Sequence, residues 1–199
     1  MGRMNSPAQP TDTRSVPRFD ALSRLLHWLA AIIVLAAFIL GPEGFGRMMR
    51  QHVDPATRSD ILWHETLGVA IFIITLIRLV WVALRPAAPQ VPMAPWMHRA
   101  SKAVQGLLWL LMILLPLTAL LSLARDQAPL TLLAGLRLDS IPVLAGTSFS
   151  RLLDWGDVHG FLGDSIMVLA GIHAFAAIYH HFVLKDDVLR SMLPPGRGA

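Results

Sequence analysis

Four long apolar blocks dominate this chain, and they constrain its fold more than any other feature. They run from Leu25 to Gly41, Ile61 to Leu84, Ala103 to Ala124 and Val158 to Leu184, separated by polar, Pro- and Gly-containing segments. Each approaches or exceeds the roughly 20 residues a helix needs to cross the hydrocarbon core of a bilayer. Lipid offers backbone groups no hydrogen-bond partners, so a spanning segment this long and this apolar must satisfy them internally as a helix. The expected fold class is therefore all-α: an integral membrane four-helix bundle. Pro116 lies inside the third block and predicts a kink there.

Composition supports this reading and excludes others. Hydrophobic residues make up 54% of the 199, and only 15% are charged, which rules out a disordered chain. The absence of cysteine removes disulfide scaffolds, thiolate metal sites, iron–sulfur clusters and covalent haem. The net charge of +4 does not point to nucleic acid, because the arginines are spread along the chain and form no dense patch. They read instead as an orientation signal. Ten Lys and Arg lie in the segments on the side of the two termini and six on the other, so the positive-inside rule predicts a multi-pass protein of the bacterial inner membrane with both termini cytoplasmic.

The chain divides into a polar tail over 1–20, expected to be disordered, a membrane domain over 21–185, and a short C-terminal tail over 186–199. Residues 42–60 and 125–157 read as loops. An apolar stretch around Leu130 to Leu136 is too short to span and suits the membrane interface. The connector from Arg85 to Lys102 is rich in proline and is expected to be extended.

Intramembrane histidines are costly and mark function. Alternating helix directions place His27 toward the inner side and His64 and His159 toward the outer side. His173 follows His159 by 14 residues. That step is almost four helical turns, so both side chains share a face and stand about 21 Å apart along the axis. His64 then matches the depth of His159, and His27 that of His173. Paired neutral imidazoles on facing helices suit a haem held within a four-helix bundle. Two protein ligands leave iron no open position, which suits electron transfer. Arg78 repeats the 14-residue step from His64 and is placed to bond the propionates of an inner haem. Gly41, Gly68 and Gly163 are small positions that leave room for a flat macrocycle. His52 and His98 are assigned to loops, and His180 and His181 to the headgroup region. Trp28, Trp63, Trp81 and Trp155 fit an interfacial aromatic belt.

The segments LSRLLHWLA, LWHETLGVAIFIITLIRLVW and VHGFLGDSIMVLAGIHAFAAIYHHFVLKDDVL together resemble the prokaryotic cytochrome b561 family, which is itself similar to the cytochrome b subunits of nickel–iron hydrogenases. The resemblance covers roughly Phe19 to Pro194. It implies four spans, two non-covalent haem b groups on His27, His64, His159 and His173, and exchange of electrons with ubiquinone as substrate. Some members resemble superoxide:ubiquinone oxidoreductases, so superoxide is one expected partner, and a peripheral redox protein is another. Where the family often carries a histidine, an arginine and a glutamate, this chain has Gln105, Val82 and Gly160. Arg78, Trp81, His180 and Lys185 are candidates for a quinone site. Two functions follow: a self-contained quinone-linked oxidoreductase, or a haem-bearing anchor that relays electrons for a hydrogenase- or dehydrogenase-type complex. A transporter without haem would leave the matched histidines unexplained.

Overall fold

A computed structural model of the chain describes residues 16–85, 88–89, 91–139, 144 and 146–195. Residues 1–15 of the expected N-terminal tail and 196–199 of the C-terminal one lie outside them. Four helices are long and apolar enough to cross a membrane: α1 (Ala21–Ile39), α3 (Ser59–Leu84), α4 (Pro95–Asp126) and α5 (Trp155–Tyr179), the last continuing as a π-helical turn over His180–Leu184. Two short helices, α2 (Phe45–Arg50) and α6 (Val188–Met192), flank them.

Large apolar side chains point outward along all four. Phe161 and Phe175 are 70% and 69% exposed. In water such a surface would be untenable, but lipid tails are as apolar as the side chains themselves. Helix ends are capped locally. Asp20 accepts the Ser23 N–H at the start of α1, and Asp154 that of Asp157 at the start of α5.

The helices pack as two antiparallel pairs. α1 lies along α3, and α4 along α5; α3 also meets α4, while α1 and α5 touch more sparsely. Both chain termini therefore lie at one end of the bundle, the terminal end, and the loops 40–58 and 127–154 at the far end. An ion pair from Arg125 to Asp154, at 2.6 Å, ties the end of α4 to the start of α5.

Several segments differ from the sequence reading. α4 begins at Pro95, eight residues before the expected block, so the extended connector ends there. Pro95 occupies the first turn, where its missing N–H has no helical partner to lose and its fixed φ already suits a helix. His98 accordingly belongs to α4 and not to a loop; its N–H bonds the Ala94 carbonyl. α4 runs on through Pro116. The loop 42–60 contains α2 and a single 3-10 turn, Pro55–Thr57.

The apolar stretch near Leu130 forms a small hairpin. β1 (Leu130–Thr131) pairs antiparallel with β2 (Arg137–Leu138). The hairpin packs onto the protein: Leu123, Ala128 and Leu130 form a buried cluster, with Phe45, Met49, Val69 and Leu132 against it. Glu65 of α3 accepts from both the N–H and the hydroxyl of Thr131, at 2.5 and 3.0 Å, and the Thr66 hydroxyl accepts from the Leu133 N–H at 2.9 Å.

At the terminal end, residues 16–20 run alongside α6 rather than away from the protein. The Phe19 N–H bonds the Ser191 carbonyl, and the Trp28 indole N–H bonds the Met192 carbonyl. The C-terminal segment thus folds back on α1.

Candidate redox site

The four histidines singled out in the sequence meet as two pairs. His64 of α3 faces His159 of α5 at the far end, with ring centres 5.9 Å apart and planes 83° to each other. His27 of α1 faces His173 of α5 toward the terminal end, at 6.2 Å and 67°. Each pair joins one histidine from the α1–α3 unit to one from the α4–α5 unit. Both pairs thus bridge the seam between units, where the helices pack least tightly.

The far-end pair is held by backbone. The Nδ1 of His64 lies 2.8 Å from the Ala37 carbonyl, and the Nδ1 of His159 lies 2.9 Å from the Leu115 carbonyl. A carbonyl oxygen only accepts, so both Nδ1 atoms carry the proton and donate it. Each Nε2 then keeps its lone pair, the form that ligates a metal. The Thr118 hydroxyl lies 3.4 Å from the same Nδ1 of His159 and also donates to the Leu114 and Leu115 carbonyls. Among the described residues, neither His27 nor His173 makes such a bond. Their surroundings are instead aromatic: the Trp28 ring meets His27 edge-on, with centres 5.3 Å apart.

The donor set suits a particular kind of cofactor. Among the described residues, no group of three or more His, Cys, Asp or Glu gathers to hold a metal. A metal here would take two imidazoles and need its other ligands from a non-protein ring. Two opposed metal–imidazole bonds of about 2 Å, with about 1 Å from each nitrogen to its ring centre, put facing ring centres about 6 Å apart. Both observed separations match. Space beside the pairs also fits: a Cβ built on Gly68, Gly160 or Gly163 would meet nothing within 4 Å. Gly41 does not contribute in the expected way. α1 ends at Ile39, so Gly41 lies beyond the helix, and a Cβ there would press on the Phe38 carbonyl at 3.1 Å.

Arg78 stacks on the Trp109 ring of α4, its guanidinium carbon 4.7 Å from the ring centre. No carboxylate among the described residues pairs with it. The sequence reading did not name Trp109, because an aromatic inside a long apolar run carries no mark of its partner. Nor could it name Ala37 and Leu115, which act through their carbonyls.

Residues 18–195 match the family described as prokaryotic cytochrome b561. The chain belongs to that family. It is 27% identical to "Cytochrome b561 homolog 2" of Escherichia coli (strain K12), over 91% of this chain and 94% of the relative. It is 29% identical to "Cytochrome b562" of Cereibacter sphaeroides, over 90% and 97%. It is 26% identical to the "Probable superoxide oxidase CybB" of Yersinia pestis, over 91% and 98%. The chain is thus a multi-pass membrane protein of a cytochrome b family, with an electron-transfer role.

His180 and His181 are not simply at the headgroups. The Nδ1 of His180 lies 2.6 Å from Asp186, whose N–H returns to the His180 carbonyl. His181 has a buried Nδ1 with no partner among the described residues. His52 remains in a loop and adopts a left-handed backbone conformation, φ 55°.

Proposed function

We propose that this member of the family is an inner-membrane dihaem cytochrome b that carries electrons between the two faces of the membrane, to or from quinone, and that superoxide is its external donor. The observation that carries the reading is the pair of facing histidine pairs, 14 residues apart on α5 and bridging the same seam. His64 and His159 are assigned to the haem at the far end, and His27 and His173 to the one nearer the terminal end. Each haem would supply a one-electron carrier between ferric and ferrous iron.

The residues of the chain do the rest. The Ala37 and Leu115 carbonyls fix the tautomer and aim of two of the ligands. Two histidines per site leave no position for dioxygen, which directs the chemistry to outer-sphere transfer. Arg78, held flat on Trp109, offers its guanidinium as a counter-charge to a propionate. The apolar helices exclude water along the route. Trp81, His180 and Lys185, near the terminal end, are the candidates for quinone contact. The far end, with Arg58 and Arg137 in its loops, is the side from which an anionic donor would approach. Support for superoxide comes from the printed name of the Yersinia pestis relative. In balance, two superoxide anions become two dioxygen molecules, and the quinone takes up two electrons and two protons.

The test is direct. Purified protein should hold two haem b groups per chain and show split absorbance bands on reduction. Reconstituted with ubiquinone and a superoxide source, it should form quinol faster than protein-free vesicles. One haem per chain would defeat the two-pair assignment. Two haems without quinol formation would keep the cytochrome and remove superoxide as donor.

A further inference from the structure

A lipid-facing groove runs between α1 and α3 in the terminal half of the bundle. Leu22 of α1 and Leu76, Ile77, Val80 and Trp81 of α3 line it, over a volume of about 330 Å³. The walls are almost wholly apolar. Arg85 follows Trp81 by four residues, one turn further toward the membrane surface and on the same side of the chain. Its guanidinium carbon lies 5.1 Å over the Phe19 ring. Arg18 precedes Phe19. The Nε atoms of Arg18 and Arg85 are both buried, and neither has a hydrogen-bond partner.

Those two donors need an acceptor. A buried donor left unmade costs about 1–3 kcal/mol, more when the group is charged. The nearest carboxylate is not available to them. Asp20 accepts from the Ser23 N–H, the Ser23 hydroxyl and the Trp81 indole N–H, at 2.8, 2.6 and 3.0 Å. No ion pair among the described residues includes Arg18 or Arg85. The segment that carries Arg18 is also fixed in place. The Phe19 N–H bonds the Ser191 carbonyl at 3.0 Å, and the Phe19 carbonyl accepts from the Arg24 guanidinium at 2.8 Å.

We propose that this groove and the two arginines above it form a binding site for an anionic phospholipid. An acyl chain would lie along Leu22, Leu76, Ile77 and Val80, and the phosphate would receive the forks of Arg18 and Arg85. Guanidinium groups bond phosphate through two parallel N–H donors. Basic pockets between membrane helices take anionic headgroups for the same reason. An uncharged amphiphile would fill the groove and leave both cations without a counter-charge. This site stands apart from the four histidines and does not depend on their assignment.

The test uses native mass spectrometry of the detergent-solubilised haem protein. It is mixed with equal amounts of phosphatidylglycerol and phosphatidylcholine of the same acyl chains. Wild type is expected to retain several-fold more phosphatidylglycerol adduct. The Arg18→Gln/Arg85→Gln protein is expected to retain the two lipids about equally. Val80→Trp, which fills the groove, is expected to lower both adducts. Equal retention by wild type overturns the proposal, as does an undiminished preference in the double Gln protein. Displacement of the lipid by glycerol phosphate at millimolar concentration would also overturn it, since the ligand would then be a free anion with no need of the groove. Should the Gln protein not fold, Arg18→Lys/Arg85→Lys keeps the charge and loses the fork. Its preference is expected to fall by half or more, and a preference equal to wild type counts against the site.

Discussion

Replacing Glu65 tests how the far end is held together. Its carboxylate receives two donors from Thr131, and Thr131 is only 2% exposed. Glu65→Gln keeps an acceptor of the same shape but removes its charge. Charge-assisted hydrogen bonds contribute about 1.5–3 kcal/mol and neutral ones about 0.5–1.5, so this change should cost about 1.4 kcal/mol. Glu65→Leu removes the acceptor and strands a buried N–H, for about 3 kcal/mol. The loss should fall on local opening of the hairpin rather than on the whole bundle. Hydrogen exchange of the 128–138 region, read by mass spectrometry in lipid nanodiscs, measures that opening. Exchange at Thr131 should quicken about tenfold in the Gln protein and on the order of a hundredfold in the Leu protein. Helix α5 should exchange as in wild type. Equal exchange in all three proteins would refute the reasoning. The hairpin would then be held by Leu123, Ala128 and Leu130 alone.

Other outcomes follow from the same geometry. His27→Ala or His173→Ala should lose one haem, and His64→Ala or His159→Ala the other; difference spectra and haem counts read this, and loss of both haems from a folded variant would contradict it. Arg78→Ala removes a positive charge from the terminal half of the bundle. In a redox titration it should lower the potential of one haem, with the other unmoved, and two unshifted potentials would remove Arg78 from the site. The far-end loops should loosen in acid. The Ala56 N–H and the Arg137 guanidinium hold the Asp54 carboxyl below its usual range, and Arg125 and the Asp157 N–H do the same for Asp154. A carboxyl with a depressed folded pKa contributes stability above its unfolded value, about 3.9, and loses it as pH falls through the folded one. Exchange in loops 40–58 and 127–154 should therefore rise below about pH 4, beyond the intrinsic pH effect, and Asp54→Asn should already show it near neutrality.

The spans and their order were legible because apolar length alone specifies them. The histidine pairing was legible because helical pitch converts a 14-residue spacing on α5 into depth. What escaped the sequence was chemistry carried by backbone. Ala37 and Leu115 look like packing residues, and only their carbonyls matter to His64 and His159. The hairpin escaped because two-residue strands are too short for alternation to register; it depends on Glu65 and Thr66, far away in sequence. Pro95 misled for a physical reason. The residue that stops a helix from within is the same one that favours its first turn. The fold-back of residues 188–192 rests on backbone carbonyls meeting Phe19 and Trp28, which no side-chain pattern announces.

The unequal anchoring of the two histidine pairs bears on how the protein is built. His64 and His159 are already aimed by Ala37 and Leu115, so a cofactor arriving between them meets ligands with little rotational freedom left to lose. His27 and His173 have no such hold and must be ordered by the arriving group itself, which weakens capture. Biogenesis should then be sequential: the far-end site fills first, and its closure of the seam brings α1 and α5 into register for the second. Haem titrated into apoprotein should show a tight phase that His159→Ala abolishes and His27→Ala leaves intact. A chain starved of haem would thus accumulate as a half-loaded species of one kind, not as a mixture of two.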